Sequence, residues 1–236
     1  MTFGAVFPRV MRPVFGPGLA SGAAGGFSPI DITGCDLWLN AEALALSDGA
    51  SVTTWPDSSG AGHNADGTGH APVFKTGILN GLPVVRFDGT SQYLRATLTS
   101  GAAKTVFAVA TLNSGDTSQG LFGFSNNAIR GFYITNQFRH QGDDYVTESV
   151  SLPIAFRVFS LSVGAATTQA WKNGASLGTA AGNATAESTL DVGRLYGSGI
   201  YFLKGDIAEF IVYTSALGTT DRQAVEAYLL ARYALP

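Results

Sequence analysis

Apolar and polar residues alternate in short runs along most of this chain, and the period changes only near its end. From Gly205 to Tyr213 a two-residue period holds, with Ile207, Glu209, Ile211 and Tyr213 on one face of the predicted strand. Ala208, Phe210 and Val212 fall on the other. A strand apolar on both faces belongs in the middle of a packed sheet. From Thr219 to Tyr233 the period becomes helical: Ala224, Val225, Tyr228 and Leu229 form one stripe for burial. Thr220 and Gln223 have capping-box spacing at the start of that helix.

Upstream, short runs bounded by turn residues predict strands at Leu37–Leu39, Val52–Trp55, Val84–Phe87, Thr105–Leu112, Gly120–Phe124 and Phe132–Thr135. Others follow at Arg157–Val163, Thr168–Trp171 and Leu190–Gly193. Asn173-Gly174 is the clearest turn, since Asn-Gly suits a type I′ hairpin, and it should pair Thr168–Trp171 with Ser176–Leu177. About ten short strands closed by one helix predict an all-β, two-sheet antiparallel jelly-roll sandwich over residues 31–236, with the helix at its margin.

Residues 1–30 follow another pattern. Phe7-Pro8-Arg9-Val10 and Arg12-Pro13-Val14-Phe15 are two similar pieces, and Gly16 to Gly26 is rich in glycine. Proline removes donors and fixes φ, so neither a regular helix nor a central strand fits. An extended N-terminal arm is predicted, whose Phe3, Phe7, Val10, Val14 and Phe15 need a surface to lie on while Arg9 and Arg12 meet acidic groups. That surface is either its own domain or, as preferred here, a neighbouring subunit.

Composition narrows the function classes. Only 13% of the 236 residues are charged, the net charge is −3, and no Lys/Arg run occurs, which argues against nucleic acid as a partner. With a single cysteine, Cys35, no intrachain disulfide can form, and a small buried hydrophobe is its expected role. No run of about 18 apolar residues predicts a membrane-spanning helix. Prolines and arginines break the N-terminal apolar stretch, so no secretory signal is expected.

Three pieces together carry a resemblance. They are Leu37-Trp38-Leu39 with Val52-Thr53-Thr54-Trp55-Pro56-Asp57-Ser58-Ser59-Gly60; Asn80-Gly81-Leu82-Pro83-Val84-Val85-Arg86-Phe87-Asp88-Gly89 with Tyr93-Leu94; and the Gly205–Tyr213 strand with Ala216-Leu217 and the terminal helix. In order and spacing they resemble the LamG-like jelly-roll group of the concanavalin A-like lectin/glucanase superfamily. The chain departs from that group at Ala208 and Gln92, where acidic residues often stand, which lowers the expectation of a bound metal. The N-terminal segment is similar in composition to those preceding LamG-like domains in tailed-bacteriophage virion proteins.

Candidate chemistry is sparse. Glucanases of the superfamily carry carboxylates at alternate positions of one strand, and nothing of that form occurs. Asp206 and Glu209 come nearest, but a spacing of three puts them on opposite faces of a regular strand, with Glu209 expected at a sheet margin, pairing with Arg86. His63, Asp66 and His70 match no common zinc spacing. No metal or other cofactor is expected; calcium at Asp57 or Asp88 is the one alternative, and backbone capping the expected role of both. Sugar recognition needs an aromatic face and a few polar groups. Arg139, His140, Asp143, Asp144 and Tyr145 offer these in one predicted loop, and Tyr201, with Tyr196 and Phe202, in another.

The expected function is a non-enzymatic structural and adhesion protein on the surface of a bacteriophage virion: a tail fibre, spike or head decoration. Its arm would bind other virion proteins through residues 1–26, its copies would form a homo-oligomer (a trimer is expected), and its sandwich would meet a host surface glycan. A free carbohydrate-binding lectin and a glycan hydrolase are the alternatives.

Overall fold

The computed structural model describes residues 26–113, 118–125, 129–141, 145–182 and 184–236. The residues named for the arm, Phe3 to Phe15, and Asp143 and Asp144 lie outside that range.

The strands are β1 (Cys35–Asn40), β2 (Thr54–Trp55), β3 (Ala65–Asp66), β4 (Val73–Leu79), β5 (Leu82–Asp88), β6 (Leu94–Gly101), β7 (Lys104–Leu112) and β8 (Ser118–Phe124). They continue with β9 (Arg130–Ile134), β10 (Gln137–Gln141), β11 (Tyr145–Ser149), β12 (Ile154–Val163), β13 (Thr167–Lys172), β14 (Ala175–Ala181), β15 (Glu187–Val192) and β16 (Lys204–Tyr213). One α-helix, α1 (Thr219–Arg232), comes last. Two antiparallel eight-stranded sheets result. The first runs β14-β13-β12-β7-β16-β5-β4, with β1 also on β16; the second runs β11-β10-β9-β8-β15-β6-β3-β2. The predicted two-sheet sandwich with one C-terminal helix is the observed fold.

Three layers bury two cores. Between the sheets lie Leu94, Ala96 and Leu98 of β6, Leu190 and Val192 of β15, and Val106, Ala108 and Ala110 of β7. Between the first sheet and α1 lie Phe107, Val109, Ala208, Ile211 and Tyr213, met by Val225, Leu229 and Tyr233. β7 is buried at every position because its alternate residues feed both cores.

β16 is central as expected, but not regular. Its pairing with β7 shifts register between Ile207 and Glu209. Ile207 therefore joins Phe210 and Val212 in the inter-sheet core, while Ala208 joins Ile211 and Tyr213 beneath the helix. The extra residue of a bulge re-aims the side chains beyond it. Consequently Asp206 and Glu209 share the outer face, contrary to the regular-strand expectation. The bulge also marks a change of neighbour: β5 pairs with β16 before it and β1 after it.

The Asn173-Gly174 hairpin forms as predicted, both residues at positive φ, pairing Lys172 with Ala175. Asn80-Gly81 makes a second one, between β4 and β5. The predicted capping box does not form. Gly218 is the N-cap and makes no side-chain cap bond. The preceding turn is held from β7 instead: Thr105 Oγ1 donates to the Ser215 carbonyl at 2.8 Å and accepts from Leu217 N–H at 2.9 Å. That tertiary anchor fixes the helix start. The chain meets the sandwich before residue 31, with the Phe27 ring 5.7 Å from that of Tyr228 and Tyr213 Oη donating to the Pro29 carbonyl at 2.8 Å.

Candidate functional site

Those sugar-recognition residues read from the sequence that are described lie in two places, as the two predicted stretches imply. Arg139 and His140 lie within β10 rather than in a loop, and Tyr145 begins β11. Strand alternation turns Phe138 and His140 inward. His140 is 1% exposed, with its ring centroid 4.8 Å from Phe138 and 6.2 Å from Phe159. Burial first, and then the Arg157 cation, push its pKa down to about 3. It is a core residue, out of reach of a ligand. Arg139 faces outward and its Nη2 donates to Gln137 Oε1 at 3.0 Å. Tyr201 belongs to the loop that crosses β8: a side chain at Gly120 would collide with the Leu195 N–H and the Tyr201 carbonyl. β8 and β10 are two strands apart, about 10 Å.

That loop closes over a cluster of different composition. In β6, Leu94, Ala96 and Leu98 point into the core, so Arg95, Thr97 and Thr99 point out. Register places Arg95 between Asp191 of β15 and Asp66 of β3. Asp191 is fully buried on this outer face and must find cations there. Arg95 supplies two donors, Nε at 2.7 Å and Nη2 at 2.9 Å, and Arg194 a third, Nε at 2.7 Å. Both guanidinium groups then stack. Arg194 lies 3.4 Å from the Tyr93 ring centroid, and Arg95 4.8 Å from that of Tyr196. His70 extends the row, 4.4 Å from Tyr93. At the loop's tip Ile200 is 74% exposed.

Beside this stack opens a polar cleft of about 520 Å³, lined by Gly62, His63, Asn64, Asp66, Arg95 and Thr97. Asp66 is exposed, and hydrogen bonds from the Thr68 hydroxyl and N–H hold its carboxyl below the usual range. Asn64 gives its carbonyl oxygen to Asp57 N–H at 2.9 Å, leaving its amide N–H groups as donors. His63 stands 3.4 Å from Asp36. The cleft thus offers a fixed carboxylate acceptor, amide and guanidinium donors, and a hydroxyl, next to preorganised aromatic rings. Those are the groups that hydrogen-bond a polyhydroxylated ligand and stack on its apolar face.

Four other carboxylates among the described residues are committed. Asp206 takes a two-point bridge from Arg86, Nε at 2.7 Å and Nη2 at 2.8 Å, so Arg86 does not pair with Glu209 as expected. Glu209 lies buried under α1, not at a sheet margin, and accepts from Trp38 Nε1 at 2.6 Å, Tyr233 Oη at 2.8 Å and Tyr228 Oη at 3.1 Å, with Arg232 Nε 3.5 Å away. Burial raises its pKa against those donors. Asp57 caps the backbone, its oxygens accepting from Trp38, Ser59 and His63 N–H and the Ser59 hydroxyl. Asp88 accepts from Thr90, Ser91 and Gln92 N–H. Among the described residues no three His, Cys, Asp or Glu side chains gather as metal ligands.

No protein-family model matches the chain, and no curated protein matches it by sequence. Solved structures match its fold. The Trypanosoma rangeli sialidase in complex with sialic acid aligns with a TM-score of 0.62 at 12% identity, over 84% of this chain and 33% of that one. The receptor-binding domain of botulinum neurotoxin mosaic serotype C/D aligns with a TM-score of 0.62 at 11% identity, over 87% and 52%. The binding domain of Paraclostridial Mosquitocidal Protein 1 gives 0.59 at 12% identity, over 87% and 53%. The chain therefore spans from a third to about half the length of these proteins. At such identities the likeness is one of fold, the two-sheet β-sandwich, and function does not travel with it.

The cluster of Tyr93, Arg95, Asp191 and Arg194 contributes only Tyr93 to the residues named from the sequence, for the resemblance and not as a site; Arg95, Asp191 and Arg194 are not singled out there. Its one signal is Asp191, a carboxylate inside the apolar run Leu190-Asp191-Val192, which demands a cation wherever that strand is buried.

Proposed function

We propose that this chain is a non-enzymatic glycan-binding display protein of a bacteriophage virion, meeting host surface carbohydrate through the outer face of its second sheet and held to the particle by residues 1–26. The observation that supports the binding role is the stack of Tyr93, Arg194, Arg95 and Tyr196, locked by buried Asp191 beside the open cleft. Aromatic faces and donors that are already rigid lose little entropy when a sugar arrives. Two of the fold neighbours are a receptor-binding domain and a protein in complex with sialic acid; those properties are theirs, and they agree with a binding use of this sandwich. The virion placement, including the tail-fibre, spike or decoration role and the LamG-like kinship, is supported by the quoted motifs and by the Phe/Pro/Arg/Gly composition of the N-terminal segment.

Binding without hydrolysis is the reading because glycoside cleavage needs two carboxyl groups flanking one bond. The acids at the sheets serve cations or backbone instead: Asp191 two arginines, Asp206 one, Asp57 four donors. Single sites of this kind bind weakly, and many copies on one particle supply avidity. The test is a glycan array probed with the full chain, followed by assay of the bound glycans for released oligosaccharide. Binding without release is expected. Release abolished by changing one carboxylate would make the chain a hydrolase, and no binding to any glycan would remove the lectin role.

A further inference from the structure

On the side opposite the glycan cleft, a groove of about 690 Å³ runs between Gly26–Phe27 and the outward face of α1. Ala224, Ala227 and Ala231 recur at helical spacing along its floor, with Tyr228 and Arg232 beside them. Ala227 and Ala231 are exposed. The polar groups nearby are turned to other work. Tyr228 Oη reaches Glu209, and Arg232 reaches Glu42 at 3.1 Å and Glu209 at 3.5 Å. What the groove presents is therefore methyl groups and aromatic edge, and Phe27 already rests against Tyr228 there. An occupant needs apolar side chains carried on a thin backbone.

We propose that this groove receives residues 3–15 of a second copy of the chain. The described structure begins at Gly26, on the groove's own wall. The sequence before it holds Phe3, Phe7, Val10, Val14 and Phe15, with Pro8 and Pro13 among them, a composition that suits an extended segment better than a helix. Between them and Gly26 stands the glycine-rich stretch from Gly16. Its reach is roughly 36 Å, against about 21 Å for the length of α1. At full extension that stretch is long enough to carry the apolar pieces past the end of the groove from which their own chain departs, and a neighbouring copy offers them the same groove. Charge agrees: Arg9 and Arg12 accompany the apolar residues, and Asp221 is exposed one turn ahead of Ala224. Reciprocal exchange of identical arms closes into a symmetric ring, with no groove left empty. The inference rests on residues 1–26 being a docking arm but makes a second copy, rather than another virion protein, the surface that residues 3–15 meet; it is independent of what the second sheet binds.

The chain has two methionines, Met1 and Met11, and both lie in the arm. Biosynthetic photo-methionine therefore places the cross-linker only there, in otherwise native protein. Isotopically heavy and light full-length chains are mixed, irradiated and digested. The expected product joins Met11 of one isotope to the Gln223–Arg232 peptide of the other. Sedimentation should show an oligomer that falls to monomer with Ala227→Glu and with Phe7→Ser/Phe15→Ser, while the circular-dichroism spectrum and the per-site glycan affinity stay unchanged. Cross-links confined to one isotope, a monomeric native chain, or an oligomer indifferent to Ala227→Glu would each overturn the proposal. Loss of glycan binding alone would bear on the other face of the molecule.

Discussion

The guanidinium carbon of Arg194 lies 3.4 Å from the centre of the Tyr93 ring, while the Nε of the same side chain donates to buried Asp191 at 2.7 Å. The ring takes one face of the cation and the carboxylate its edge, so the side chain has one available geometry. Arg95 repeats the arrangement from the other side with Tyr196. Asp191 is the keystone, since both cations turn toward it. Asp191→Asn leaves two arginines facing a neutral amide. Both retain some contact with water, so the loss should fall below that for a wholly buried pair, at about 2 kcal/mol. Chemical denaturation measures it. A variant as stable as the native chain would mean that the stack holds itself.

Gly193 joins β15 to the loop that carries Arg194. Its φ is +89°, and an added Cβ would lie 2.3 Å from Cε1 of the core residue Phe87. Gly193→Ala combines a left-handed backbone with an overlap in a packed core, and should cost about 3 kcal/mol. Phe87 cannot yield easily, being 2% exposed. The variant should also weaken glycan binding, because the loop must shift to relieve the clash. A melting temperature within a degree of the native value would contradict the assigned geometry.

His140 gives a signed pH dependence. Its pKa falls from the ordinary 6.5 to about 3 on folding, through burial and then Arg157. Between those values the unfolded chain binds the proton and the folded one does not. Stability therefore rises with pH across that window and is lost as pH falls below about 6.5. Its Nε2 has no hydrogen-bond partner among the described residues, so the imidazole contributes little polar interaction that Leu would lack. His140→Leu should fold, match or exceed the native stability at pH 7, and lose less stability between pH 6.5 and 4. Urea unfolding at several pH values checks this. Parallel pH profiles for the two proteins would show that another group carries the acid response.

Legibility tracks regularity. β7 and β16 are readable because each holds an unbroken apolar run, Val106 to Ala110 and Phe210 to Tyr213, and Asn173-Gly174 because two adjacent positive-φ positions favour few other pairs. β4 carries Lys75, Thr76 and Gly77 and shifts register between Lys75 and Leu79, so no alternation announces it, although its turn, Asn80-Gly81, is plain in the sequence. β6 does alternate, but its inward set includes only Ala96 between two leucines, and its outer face carries Arg95 and two threonines. β10 reads as a loop because its polar residues, Arg139 and His140, conceal a strand with one buried face. The bulge at Ala208 cannot be read at all. It exists because β16 changes partner from β5 to β1 there, which is a tertiary fact. Asp191 is readable as a demand for a cation, but its partners stand 96 residues away at Arg95 and three away at Arg194.

The location of the proposed glycan site is open to a direct comparison. Thr97 is exposed on the floor of the cleft, and its side chain has no hydrogen bond among the described residues, so Thr97→Trp should fill the space without disturbing the sheet. Tryptophan is also a good strand residue. If the cleft binds, this variant should lose glycan binding by tenfold or more while its melting temperature stays within a few degrees. The competing location is the segment between β10 and β11, where Asp143 and Asp144 supply acidic groups beside Tyr145. Asp143→Ala/Asp144→Ala should leave binding intact if the cleft is the site. The opposite pattern, binding kept in Thr97→Trp and lost in the double variant, would move recognition to that segment. Both variants are measured on the same glycan, at the same salt concentration, with the full-length chain. Thr97→Trp has one more consequence. Its ring would lie beside Arg95, whose guanidinium already stacks on Tyr196, and cation–π contact at a partly exposed site is worth about 0.5–1 kcal/mol. A small rise in stability together with lost binding would therefore separate blockage of the cleft from damage to it.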